Sequence, residues 1–342
     1  MWLWDATWWA PKETESEAVE DGALGFCFLV LSVWSCYRLL GVLPSLNVAF
    51  SRGGGGGGRV ISAFYFLIAV TSVLRMVWFL VPAEALEGGY VPVTKEAYVS
   101  PHWGGVFASE VILAMGSMFL FSIFILIAAF WAHMLARVDS VDEIGLHDKE
   151  EEGAAEDDRD EVNDKHGPLH NFAFMMAALF LIEGANFCLF LLKFYNSDGM
   201  ILYDSVLLSI VSLATLIEFT IFSTRIQHVL KTISAINANS TTMQRNRILS
   251  ITMAANLFFV VHFALEVTLS ASLVLAWHNG HSFDSVLQRV GWWEVYIRLK
   301  HWSEVIVLGM ALMVSLSGGP TAGRGQRQRR DYEAIPDADL DF

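Results

Sequence analysis

Apolar side chains in this sequence come in long, nearly unbroken runs rather than in alternation. The runs lie near residues 23–43, 60–81, 106–136, 169–192, 201–222, 248–277 and 302–316. A hydrocarbon core about 30 Å thick takes about 20 helical residues to cross. A backbone immersed in lipid must also satisfy its own hydrogen bonds, which a helix does. The pattern therefore predicts an all-α integral membrane protein, a seven-transmembrane-helix bundle over residues 23–317. The third and sixth runs are long enough to tilt or to project beyond the bilayer. The seventh is short, and reaches membrane length only if its helix begins upstream near Trp292, giving a span over 293–317.

Orientation follows from the basic residues beside the runs, because cytosolic loops retain the excess of Lys and Arg. With the N-terminus outside, fourteen Lys and Arg fall in cytosolic segments and six in outer ones, leaving Arg38 and Arg75 within spans. This predicts a luminal or outer N-terminal tail over 1–22 and a disordered cytosolic tail over 318–342. Residues 53–58 read as a flexible glycine linker. Residues 138–167 read as a disordered acidic cytosolic loop, too polar to bury a core. The sequon at Asn239 falls in a connector placed in the cytosol, where it would stay unglycosylated.

Composition agrees with the pattern. Hydrophobic residues make up 54% of the 342 and charged residues 17%, whereas soluble domains carry about 25% charged residues. The net charge of -14 resides mostly in the N-terminus, the long loop and the tail, as solvated, self-repelling segments. Nucleic acid is excluded as a direct partner, because binding it needs a basic face. Cys27, Cys36 and Cys188 all fall inside apolar runs, so none is placed for a loop disulfide. The first 21 residues have Lys12 as their one cation and four tryptophans. They do not read as a secretory signal, and the first run is expected to do the targeting.

Ionisable residues inside spans are expensive, about 2.5–3.5 kcal/mol each at the bilayer centre, and so point to a buried polar site. Projected by depth, Arg75, Glu110, Glu183, His262, Glu266 and Glu304 share the outer half of the bundle, and Glu218 lies toward the cytosol. His262 and Glu266 stand one turn apart on one face of the sixth helix. Either these residues form an outward-facing cavity, in which Arg75 pairs with Glu304 or Glu266 and a remaining carboxylate binds a ligand or a proton, or they are interhelical contacts that fix packing.

Catalytic and cofactor chemistry finds no positive signal. His278 and His281 have metal-like spacing but no obvious third ligand, and no G-x-S-x-G, P-loop or H-E-x-x-H occurs. Neither an enzyme nor a cofactor is expected. A retinal pigment needs a lysine inside the seventh span, whereas Lys300 precedes the seventh apolar run. The third span ends in Ala136-Arg137-Val138, unlike the Asp-Arg-Tyr of rhodopsin-type receptors, and no proline lies between Trp302 and Gly319. In the tail, Tyr332 and Ile335 have the spacing of the tyrosine-based sorting signal read by adaptor proteins.

Phe121-Ser122, an aliphatic run, Phe130-Trp131-Ala132 and Arg137, together with Arg75 and Glu304-Val305, resemble the tobamovirus multiplication protein family, the THH/TOM domain. The order of elements fits over most of the chain. His133 stands where that family has glutamate, the proline after Glu304 is missing, and the acidic loop is longer. The resemblance implies a receptor-like, seven-helix protein of vacuolar or lysosomal membranes, without enzymatic activity, that associates with small Arf-like GTPases. The leading expectation is thus a non-enzymatic receptor or scaffold of endomembranes. A proton-coupled transporter using Glu183, His262 and Glu266 is the alternative, and an intramembrane hydrolase ranks third.

Overall fold

The computed structural model describes residues 15–50, 56–81, 103–147, 168–192, 194, 197–234, 238–278 and 292–316. Among them the chain is all-helical. Seven helices follow in order: α1 (Glu15–Phe50), α2 (Gly56–Leu80), α3 (Trp103–His147), α4 (Pro168–Leu191), α5 (Ser197–Ser234), α6 (Ala238–His278) and α7 (Trp292–Leu316). Six of them, α1 to α6, contain stretches long and apolar enough to cross a membrane, compatible with an integral multi-pass protein. α7 begins at Trp292, at the upstream start its apolar run needs for membrane length.

Several helices outrun the apolar runs that announced them. α3 has 45 residues and continues to His147, so the first third of the acidic stretch expected to be unstructured is helical. Residues 148–167 lie outside the described residues. α1 starts at Glu15, inside the expected N-terminal tail. α6 starts at Ala238, which puts Asn239 on a helix rather than in a loop. Each extension adds polar turns to a helix already nucleated by its apolar part, and adding a turn costs far less than starting one.

The helices pack as a ring, each against its chain neighbour, with α7 returning to α1 and α3 also meeting α5. α3 is the central element: 67% of its apolar window is buried, against 22–44% for the other five. Its buried Phe121 and Phe124 meet Phe258 and Phe259 of α6 and Phe219 of α5. The Phe124 ring lies 4.8 Å from Phe259, edge to face, and 5.4 Å from Phe258, stacked. Such aromatic contacts add about 0.5–1.5 kcal/mol each beyond area burial. Lipid tails are as apolar as the helices, so packing and polar contacts of this kind hold the bundle together. Hydroxyls within the spans are largely self-satisfied. Thr71, Ser122, Ser209, Thr215 and Thr268 each donate to the carbonyl four residues back.

Candidate functional site

The buried charged residues of α2, α4, α6 and α7 lie toward the ends where α2 runs into α3, α4 into α5 and α6 into α7. The anchor among them is Arg75, near the end of α2. The Arg75 Nε donates to Glu304 Oε2 at 2.7 Å, and Nη2 donates to Glu304 Oε1 at 2.8 Å. Nη2 also donates to Ser117 Oγ at 2.8 Å and Nη1 to the Leu113 carbonyl at 3.1 Å. Four of the guanidinium's five N–H groups are thereby used, and both charged side chains are 0% exposed. The fork-on-fork geometry is the strongest form of this pair. It joins α2 and α7 across the α3 backbone.

Gly116 makes room for it. A Cβ at this position would stand 3.1 Å from Arg75 Nη1, 3.2 Å from Cζ and 3.3 Å from Nε, against the face of the guanidinium. Gly116→Val should therefore push Arg75 out of register with Glu304 and destabilise the protein by about 1–3 kcal/mol, the usual cost of overpacking. Gly25→Ala, whose new Cβ would meet the half-exposed end of Leu80, should be milder. Thermal unfolding of the purified protein ranks the two, and equal effects would remove the special role assigned to Gly116.

α7 supplies the second knot. Tyr296, Lys300 and Glu304 recur at four-residue spacing, which stacks them on one helical face. Lys300 Nζ donates to Glu266 Oε1 at 2.8 Å and to the Tyr296 hydroxyl at 2.9 Å. The Tyr296 hydroxyl in turn donates to the same Glu266 oxygen at 2.8 Å. All three side chains are buried. His301, also on α7, stacks on Trp78 with ring centroids 5.3 Å apart, and its Nδ1 sits 2.8 Å from the Ile297 carbonyl. At the rim, Glu20 of α1 accepts from Arg298 Nε at 2.9 Å and from Trp302 Nε1 at 3.3 Å, tying α1 to α7.

Other members are less completely bonded. Glu183 is buried and accepts from Asn186 Nδ2 at 3.0 Å through one oxygen, while its Oε2 has no partner. Asp204 of α5 lies toward the same end, since the neighbouring Tyr203 hydroxyl donates to the Ile182 carbonyl at 3.3 Å. Its Oδ1, like Glu266 Oε2, is buried without a hydrogen bond. His262 lies between Phe121 and Phe258, with centroids at 6.0 and 4.2 Å. Neither of its ring nitrogens makes a hydrogen bond of good geometry, although the Lys300 carbonyl is near enough to act on the ring.

Measured against the sequence, the structure chooses Glu304 over Glu266 as the partner of Arg75. Glu266 pairs instead with Lys300, a residue placed ahead of the seventh apolar run and in fact buried inside the bundle. His262 and Glu266 share a face of α6, as their spacing implies. Glu110 is half-buried toward the start of α3, and Glu218 is half-buried on α5. Tyr296, Ser117 and Asp204 were not anticipated; the four-residue spacing of Tyr296, Lys300 and Glu304 was the available signal for the first. His278 ends α6, whereas His281, Tyr332 and Ile335 lie outside the described residues. Among the described residues, no group of three His, Cys, Asp or Glu side chains could hold a metal ion, and the three cysteines are free. No protein-family model, curated protein or solved structure significantly matches the chain.

Proposed function

We propose that this chain is a non-enzymatic, receptor-like protein or scaffold of an endomembrane, vacuolar or lysosomal, that crosses the bilayer seven times and recruits cytosolic partners. The observation that carries this reading is the mutual pairing of the intramembrane charges, Arg75 with Glu304 and Lys300 with Glu266. Charges bound to one another across α2, α6 and α7 hold a bundle in one arrangement, which suits a membrane domain that presents loops to partners. The same pairing supports α7 as the seventh span. Its 25 residues extend about 37 Å at about 1.5 Å per residue, and charges that compensate each other inside a bundle are tolerated in lipid.

The basic-residue bias supports an outer N-terminus and a cytosolic C-terminus. The resemblance of α3 to the THH/TOM domain supplies the partner class, small Arf-like GTPases, and the Tyr332–Ile335 spacing adds adaptor proteins. A proximity-labelling ligase fused after Phe342 should mark such GTPases or adaptors on an endomembrane, with Tyr332→Ala reducing the adaptor share. Asn239 should remain free of sugar. Labelling confined to luminal or extracellular proteins would overturn both the orientation and the reading.

A proton-coupled carrier is the second reading, and one observation favours it. Glu183 Oε2, Asp204 Oδ1, Glu266 Oε2 and both His262 nitrogens are buried with hydrogen-bonding capacity to spare, and carboxylate and imidazole chains are the common intramembrane proton path. This reading predicts pH-driven flux in proteoliposomes that Glu266→Gln abolishes. Flux equal to that of protein-free vesicles would eliminate it.

A further inference from the structure

α1 has two unlike faces. Leu24, Phe28, Leu31, Ser32 and Ser35 are buried, recurring every one to four residues on the side packed against α2 and α7. The intervening Leu29, Val30, Val33, Trp34 and Tyr37 are exposed. Together with Arg38 these five, all from α1, line a shallow, open groove between their own side chains on the outer face of that one helix.

The depth of this groove is informative. The apolar span of α1 runs Val19–Val42, so Leu29 lies close to its middle and Arg38 about one turn from its end. At about 1.5 Å per residue the groove is about 13.5 Å long, against about 15 Å for half of a bilayer's hydrocarbon core. It therefore covers one leaflet, from near the midplane to the headgroups, and its wall is aliphatic at the deep end and aromatic toward the shallow end. Trp34 and Tyr37 are the residue types that settle at the membrane interface.

Arg38 closes the shallow end and is half-buried. Arg75, Arg298 and Lys300, the other cations discussed within the helices, each have a carboxylate partner, whereas among the described residues Arg38 has none. A cation within the span needs a counter-charge or a path to water. The guanidinium fork matches a phosphate bidentately. In phosphatidylcholine that phosphate is already neutralised by the lipid's own ammonium group. A lipid with net negative charge brings the missing counter-charge.

We propose that the groove binds one anionic glycerophospholipid from the leaflet at the α1–α2 connection, with an acyl chain along Leu29, Val30 and Val33 and the phosphate on Arg38. The site lies apart from the buried charged residues and does not depend on their role.

The test uses the full chain in nanodiscs of phosphatidylcholine mixed equally with phosphatidylglycerol, released into native mass spectrometry. The wild type should retain phosphatidylglycerol severalfold over phosphatidylcholine. Arg38→Gln should abolish that preference, and Arg38→Lys should keep part of it. Val30→Trp, which fills the groove but leaves the charge, should lower total retained lipid. An unchanged preference in Arg38→Gln, or no preference in the wild type, would overturn the proposal. So would oxidative cross-linking of two chains through the exposed Cys36 with loss of the lipid, which would assign this face to a second copy.

Discussion

Arg75→Glu should leave almost no folded protein in the membrane. Removing one partner of a buried ion pair costs about 3–5 kcal/mol, because the other is left charged and unpaired. Reversal adds a like charge beside Glu304, in a position where its partner now accepts donors at 2.7 and 2.8 Å. Whole-domain stabilities are about 5–15 kcal/mol, so the loss is comparable with the total. Detergent-extracted monomer, measured by fluorescence-detected size exclusion, should fall close to background. The exchanged pair, Arg75→Glu with Glu304→Arg, should recover only a fraction of the wild-type level. It restores opposite charges, but Ser117 Oγ and the Leu113 carbonyl are placed for a guanidinium entering from α2, and a carboxylate can use only the first. Wild-type abundance of Arg75→Glu would remove the pair from its structural role.

Lys300→Met should be nearly as damaging alone and much less so in combination with Glu266→Gln. Alone, it strips Glu266 Oε1 of its ammonium donor and leaves a carboxylate in a site where the Tyr296 hydroxyl is the remaining partner. A loss of about 3–5 kcal/mol follows from the same reasoning. Neutralising both partners removes the stranded charge, and replacing a whole buried pair by neutral groups is often close to neutral in stability. The double variant should therefore be more stable than Lys300→Met, with a coupling energy of about 1–3 kcal/mol in a thermal or denaturant unfolding cycle. Strictly additive effects would mean that the two residues do not interact in the folded protein. Because the cycle reads stability, its outcome is separate from the flux measurement that tests the carrier reading.

Much of the architecture was open to inspection before any coordinates. Runs of about 20 apolar residues have few ways to satisfy their backbone in lipid other than as helices, so the number and order of the elements follow from hydropathy. A helix rises a fixed distance per residue, so depth can be projected from sequence, and that projection put Arg75, Glu110, Glu183, His262, Glu266 and Glu304 in the outer half; in the folded bundle Arg75 meets Glu304 and Glu266 meets Lys300. Helix ends were less legible. The polar turns of α3 up to His147 and of α6 before residue 248 carry no apolar pattern, and they form by extending helices already begun.

Partner choice was not readable at all. Arg75 faced two carboxylates at similar depth, and only the rotation of α6 and α7 against α2 gives it Glu304 and leaves Glu266 to Lys300. Lys300 itself sits before an apolar run, where a charge reads as loop. Inside the bundle it is buried because Glu266 and Tyr296 compensate it, a condition that exists only once three side chains from two helices meet. Hydropathy along a chain is a property of each residue with its sequence neighbours, and so it picks out which helices are long and apolar enough to cross a bilayer. Which group neutralises which depends on how helices far apart in sequence turn toward one another, and that is decided by side-chain packing in the folded bundle.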